Sequence, residues 1–265
     1  MTSAIHHATQ GFAQQAGTYV RGRPDYPAAL DTWLRDTLRL GPGASVVDLG
    51  AGTGKFTPLL TATGASVVAI EPVAAMRAEL CRALPEVAAL EGRAEAMPLP
   101  DASADVVVCA QAFHWFASAA ALAEIRRVLR PGGRLGLVWN VRDESVDWVA
   151  ALTRIITPFE GDAPRFYKGD WQRVFPAEGF SPLALSSLPH THDGPPQRVI
   201  VDRFMSVSFI AALPLVQQAA VRAQLQAVID HTPALAGQAA ISFPYRTQAY
   251  SCTRIASYQP SHPAE

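Results

Sequence analysis

The stretch VVDLGAGTGKFT, Val46–Thr57, decides the fold. Apolar residues lead through Asp48 to three glycines, Gly50, Gly52 and Gly54, and Lys55 then opens a helical run. Glycine lets the chain turn sharply and lets a ligand approach the backbone without meeting a Cβ. Amides at the start of a helix then face that ligand. GxGxG alone is a weak signal. It gains weight from Glu71, which ends the next apolar run in VVAIEP, about 20 residues after the first glycine, where an acid accepts both hydroxyls of a ribose. The expected ligand is therefore a nucleoside derivative. A P-loop needs GxxxxGK[ST], and here Phe56 follows Lys55. A dinucleotide turn needs GxGxxG, a spacing this turn lacks. Asp48 would repel a pyrophosphate and suits an ammonium or a sulfonium.

Outward from that turn, short β-rich runs alternate with Ala-rich helical runs. Strands are predicted at 45–49, 66–70, 87–91, 104–109 and 134–140. Helices are predicted at 55–62, 73–84 and 119–129, the last stopped by the turn RPGG at 130–133. The run ADVVVC is almost wholly apolar, as a strand covered on both faces should be. Five alternations within about a hundred residues indicate βαβ units and a parallel, doubly wound α/β sheet. After Asn140 the rhythm breaks. A loop and helix, a stretch rich in Pro, Gly and aromatics at 161–196, helices near 198–207 and 215–231, and a last amphipathic strand at about 238–247 are expected.

With 265 residues, 49% of them hydrophobic, the chain can bury one sizeable core or a core with a lid. A formal charge of −1 and scattered basic residues argue against nucleic acid and anionic membranes as partners. The three cysteines are far apart and odd in number, which suggests a reducing, cytoplasmic setting without a disulfide framework. The first residues lack the features of a secretory signal, and no run reaches the roughly 20 apolar residues of a membrane span. His6 and His7 lack partners at ligand spacing, so no metal site is expected.

Val46–Phe56 resembles motif I of the class I S-adenosylmethionine-dependent methyltransferases. EGRAEAMPLPDASADVVVCAQAFHWF, Glu91–Phe116, resembles the adenine-covering region and fourth strand of their type 11, small-molecule branch. RRVLRPGGRLGLVWN, Arg126–Asn140, is similar to their turn into strand five, and YVRGRPDYP, Tyr19–Pro27, to an N-terminal signature of one branch. The resemblance implies a seven-stranded, mostly parallel Rossmann-like sheet, with the last strand antiparallel and a helical, aromatic cap. Its parts would be an N-terminal segment closing over the cofactor (1–40), the cofactor core (41–140), a substrate cap (141–237) and a returning strand with a tail (238–265).

The same resemblance implies roles. Gly50, Ala51 and Gly52 would line the methionine part of S-adenosylmethionine, and Asp48 would hold its amino group. Glu71 would take the ribose, with Pro72 beside the adenine. Where the family usually offers an Asp to the adenine amino group this chain has Arg93, which cannot accept a hydrogen bond. Ala94 would supply the backbone contact, with Glu95 near. Gln111 would approach the methionine end. Tyr19 and Arg23 resemble residues that close over the cofactor carboxylate. His114 is the candidate general base, or else a pocket residue. Trp115, Phe116, Trp148, Tyr167, Trp171 and His190 are substrate-pocket candidates, by region only.

The expected activity is methyl transfer to an O, N or C atom of a small molecule, a secondary metabolite, by a monomer or homodimer. The alternatives are a methyltransferase acting on protein or RNA, a non-methylating cofactor binder, and, most weakly, a dinucleotide oxidoreductase.

Overall fold

A computed structural model describes residues 23–255. Seven strands form one sheet in the order β3-β2-β1-β4-β5-β7-β6. They are β1 (Ser45–Leu49), β2 (Ser66–Ile70), β3 (Ala88–Leu90), β4 (Ala104–Ala110), β5 (Leu129–Arg142), β6 (Ala184–Gly194) and β7 (Ile241–Thr253). The first five pair in parallel, and β7 and β6 add antiparallel at the β5 side. The order reverses between β1 and β4. In doubly wound sheets ligands bind in the crevice beyond the carboxyl ends at that reversal. Gly50 follows β1 and Gln111 follows β4, so the sequence motifs converge there.

Period-two alternation sends neighbouring residues to opposite faces. Val47, Leu49, Val107 and Cys109 pack with Leu122, Ile125 and Val128 of helix α4 (Ala119–Val128). Val46, Val106 and Val108 pack on the other face with Leu30, Trp33, Leu34 and Leu38. Those four come from α1 (Ala29–Thr32), from the π-helical turn Trp33–Thr37 that continues it, and from Leu38, which closes that turn. Gly136 of β5 permits this approach, since a Cβ there would stand 2.7 Å from Leu38 Cδ1. The helices α2 (Thr57–Ala62) and α3 (Ala74–Ala83) complete the crossovers. α2 starts two residues later than expected, because Lys55 and Phe56 still belong to the glycine turn.

The cap has a core of its own. Val149, Leu152 and Ile156 of α5 (Asp147–Ile156) meet Val199–Val201, Phe204 of α6 (Arg203–Met205), Ile210 of α7 (Ser208–Ala211) and the narrow stripe Val221, Leu225, Ile229 of α8 (Leu215–His231). A π-helical segment, Gln197–Asp202, leads into α6. Phe243 and Tyr245 of β7 join this core to the sheet. Two expectations are corrected. The Pro- and Gly-rich stretch contains β6, an edge strand in which half-buried residues alternate with exposed ones, but the half-buried positions are mostly polar (Ser186, His190, His192), so no apolar alternation shows. The last strand begins at Ile241 and continues to Thr253, six residues past the expected end.

Candidate functional site

Gly50, Gly52 and Gly54 all have positive φ, at +72°, +59° and +82°. The turn is tied to β2 by the Gly50 and Ala51 amides, which donate to Ile70 O at 2.8 and 3.2 Å. The three glycines do different work. A Cβ on Gly50 would lie 2.8 Å from Ala112 Cβ, and one on Gly54 2.9 Å from Leu80 Cγ, so both admit close packing. A Cβ on Gly52 would meet only Met76 Sδ at 3.9 Å, so its surroundings leave the backbone open to a ligand.

Glu71 directly follows β2, beside this turn. Its Oε2 accepts from the Gly52 amide and its Oε1 from the Val73 amide, both at 2.8 Å. Burial raises its pKa, opposed by these two amides and by Arg77. Asp48 lies beneath, 1% exposed. Its Oδ2 accepts from Thr57 Oγ1 at 2.7 Å, while among the described residues Oδ1 has no hydrogen-bond partner. Burial, opposed by Thr57 and reinforced by Glu71, lifts the Asp48 carboxyl to about 7. A buried acceptor left open beside two glycines suits a positively charged donor. Pro72 is exposed next to Glu71, and Ala94 is buried between Arg93 and Ala96, which exchange backbone hydrogen bonds at 3.3 and 3.1 Å. Glu95 and Arg93 point to the exposed side of that small hairpin.

On the β4 side the chain is strained where it turns. Gln111 has φ +57°, its amide donates to Val138 O at 2.8 Å and its Nε2 to Asn140 O at 3.3 Å. The strain places Ala112 and Phe116 against Gly50. His114 stands one step further out. Its Nδ1 accepts from Trp139 Nε1 at 3.0 Å, which leaves the neutral ring with its hydrogen on Nε2. Burial first, then Arg165 and Arg23, lower its pKa to about 3. With Nδ1 engaged and protonation disfavoured, the ring is arranged to donate rather than to take a proton. Trp115 lies beside it, ring centroids 5.1 Å apart.

The N-terminal approach crosses the same edge. Lys55 Nζ donates to Arg23 O at 2.5 Å and pairs with Asp25 Oδ1 at 3.1 Å. Asn140 Nδ2 donates to Asp25 O at 2.8 Å, and His190 Nε2 lies 2.7 Å from the same oxygen. Residues of three segments thus fasten the strand of chain that carries Arg23. Tyr19 lies outside the described residues.

The pocket candidates separate. Phe116 and Trp115 are at the crevice, and His190 is a fastening residue for the N-terminal segment. Trp171 is 1% exposed and packs on Trp139 at 4.6 Å between ring centroids, so it belongs to the core rather than to an open wall. Trp148 packs edge-on to Phe243 and lines a surface hollow between α5 and α8. Tyr167 is 55% exposed and bonded through its hydroxyl to Glu160. A second hollow lies at the opposite, amino-terminal end of β4, around Asp105 and Arg130. Among the described residues no cluster of His, Cys, Asp and Glu could hold a metal ion, and no helix is long and apolar enough to cross a membrane.

Sequence reasoning missed a group of arginines: Arg142 at the end of β5, Arg165 in the cap and Arg203 at the start of α6. Their wide spacing along the chain hid them. The Arg142 guanidinium stacks over Phe204 at 4.8 Å, and that of Arg165 over Phe209 at 4.5 Å and towards Trp115 at 5.8 Å.

Residues 47–137, from β1 into β5, match the family model described as a methyltransferase domain. An uncharacterized methyltransferase-like protein of Schizosaccharomyces pombe is 36% identical over 241 residues, covering 91% of this chain and 94% of that protein. An uncharacterized methyltransferase of Mycobacterium tuberculosis is 39% identical over 249 residues, covering 93% and 97%. A solved structure from Anaeromyxobacter dehalogenans, provisionally assigned as a type II methyltransferase, shares the fold with a TM-score of 0.66 at 24% identity over 89% of this chain and 99% of that one. The chain belongs to the S-adenosylmethionine-dependent methyltransferase family.

Proposed function

We propose that this protein binds S-adenosylmethionine in the crevice between β1 and β4 and directs its methyl group to an O, N or C atom of a small molecule. The observation that carries this reading is the pair of acids around the glycine turn. Glu71 is aligned by the Gly52 and Val73 amides, and Asp48 keeps one buried oxygen open. Glu71 offers its remaining lone pairs to a ribose. Asp48 attracts the ammonium of the methionine end. Gly50, Ala51 and Gly52 bring backbone close to that end, Pro72 and Ala94 flank the adenine, and Gln111 and Arg23 complete the enclosure. The cofactor supplies an already activated methyl on a sulfonium. The protein's share is alignment and exclusion of water. Phe116 and Trp115 wall the crevice, and the donor hydrogen on His114 Nε2 orients the acceptor rather than deprotonating it.

Calorimetry with S-adenosylmethionine and S-adenosylhomocysteine tests the reading. Wild type should bind both, and Glu71→Ala should lose most of that affinity. Absence of binding to wild type, or unchanged binding by Glu71→Ala, refutes it.

A further inference from the structure

Arg142, Arg165 and Arg203 come from three distant parts of the chain, yet they gather at the edge of the sheet that holds the glycine turn. Arg142 ends β5, in register with Tyr245 of β7, which is in register with His190 of β6. Arg165 reaches Trp115 in the loop after β4. Burial first lowers the pKa of Arg142 and of Arg165; Arg203 adds to it at Arg142, and Arg23 and then Arg142 add to it at Arg165, against the opposite pull of Glu160. Such crowding of like charge in a partly desolvated place is unfavourable unless something negative joins it.

The protein supplies little of that negative charge. Among the described residues, Nε and Nη2 of Arg165, Nε and Nη1 of Arg203, Nδ1 of His192 and the hydroxyl of Tyr245 are buried without a hydrogen-bond partner. Glu160 approaches Arg165 Nε only to 3.8 Å, because it already holds Lys168 Nζ at 2.9 Å and the Tyr167 hydroxyl. Glu144 is exposed and accepts from Thr153 at 2.9 Å. The flat faces of Arg142 and Arg165 are covered by Phe204 and Phe209, which leaves their N–H edges to do the recognising. Planar forks of this kind match the two oxygens of a carboxylate or the oxygens of a phosphate.

We propose that Arg165 and Arg203, with Arg142 and Tyr245 beside them, bind an oxyanion carried by the methyl acceptor, so that the substrate is a small organic carboxylate or phosphate. This rests on the methyl-transfer reading above. Trp115 joins the two sites: it neighbours His114 on one side and Arg165 on the other.

The test has two stages. S-adenosylhomocysteine is first titrated into wild type, Arg165→Met, Arg203→Met and the conservative Arg165→Lys and Arg203→Lys. Binding by wild type upholds the methyl-transfer reading separately, and the arginine variants should keep wild-type affinity within about threefold. The complexes are then titrated at constant ionic strength with benzoate, glutarate and phenyl phosphate, each against a neutral partner (benzamide, glutaramide, phenol), and followed by thermal shift. At least one anion should bind wild type and its neutral partner should not. The Met variants should weaken that anion about tenfold or more, and the Lys variants less, since they keep charge but lose the fork. A carboxylate response without a phosphate response, or the reverse, assigns the oxyanion. Equal shifts by anion and neutral partner, no shift by any anion, or unchanged anion binding in folded Met variants would overturn the proposal. So would a tenfold loss of S-adenosylhomocysteine affinity in the arginine variants, which would assign the arginines to the cofactor carboxylate.

Discussion

Glu71 and Arg165 are both charged groups drawn away from bulk water near the same edge of the sheet, yet their surroundings differ in kind. Glu71 is held on both oxygens by backbone amides, that of Gly52 in the glycine turn and that of Val73 just after it in the chain. Arg165 has a carboxylate 3.8 Å from its Nε, two aromatic rings beside it and, among the described residues, two N–H groups without a hydrogen-bond partner. The first is an acid built into a turn whose shape the backbone sets. The second is a base left incomplete by side chains that a ligand would complete. The core side of the crevice is thus acidic and already organised, and the cap side is basic and waiting. Such a division of charge suits a cationic donor on one side and an anionic acceptor on the other.

The largest expected effect comes from breaking the acidic side. Glu71→Ala should cost about 2–4 kcal/mol of cofactor binding, a loss on the order of a hundredfold, because the carboxylate proposed to take the ribose also steadies the turn. Circular dichroism should show the sheet intact. A fall in stability with unchanged affinity would reverse the assignment.

Asp48 sharpens the contrast through pH. Its carboxyl titrates at about 7 in the fold against about 4 in an unfolded chain. The folded state therefore holds this proton more tightly, and its stability falls as pH rises from about 4 through about 7. Asp48→Asn should raise the stability of the ligand-free protein by on the order of 2 kcal/mol at pH 8 and by little at pH 4. It should also weaken the cofactor about tenfold. Urea titrations at the two pH values measure the first effect and calorimetry the second.

On the basic side, Arg203→Met should stabilise the ligand-free protein by about 1 kcal/mol, since it removes N–H groups buried without partners. Destabilisation of that size would mean the guanidinium already has what it needs. The smallest effect is expected at Gln111, whose φ of +57° a glycine adopts without strain. Gln111→Gly should shift stability by about +0.5 kcal/mol, the relieved strain being partly offset by the lost bond to Asn140 O.

The acidic side was largely legible in the sequence. Motif I, Glu71 and the strand–helix alternation are local signals, carried by neighbours along the chain. The basic side was not, because Arg142, Arg165 and Arg203 are brought together only by the sheet register and the cap packing. Trp171 illustrates the same limit: nothing in its neighbourhood along the chain distinguishes a pocket wall from a ring buried on Trp139. The strand β6 escaped because an edge strand of polar and half-buried residues has no hydrophobic rhythm to betray it.

That edge strand has a consequence for engineering. β6 belongs to the cap segment of the chain, yet it lies hydrogen-bonded along β7 from Ala184 to Gly194. Exchanging caps between relatives at the helices alone would leave β7 with an open row of amides and carbonyls, an invitation to self-association. A workable chimaera would have to carry β6 across with the helices, so this segment of the chain is transplanted as a strand and its helices together.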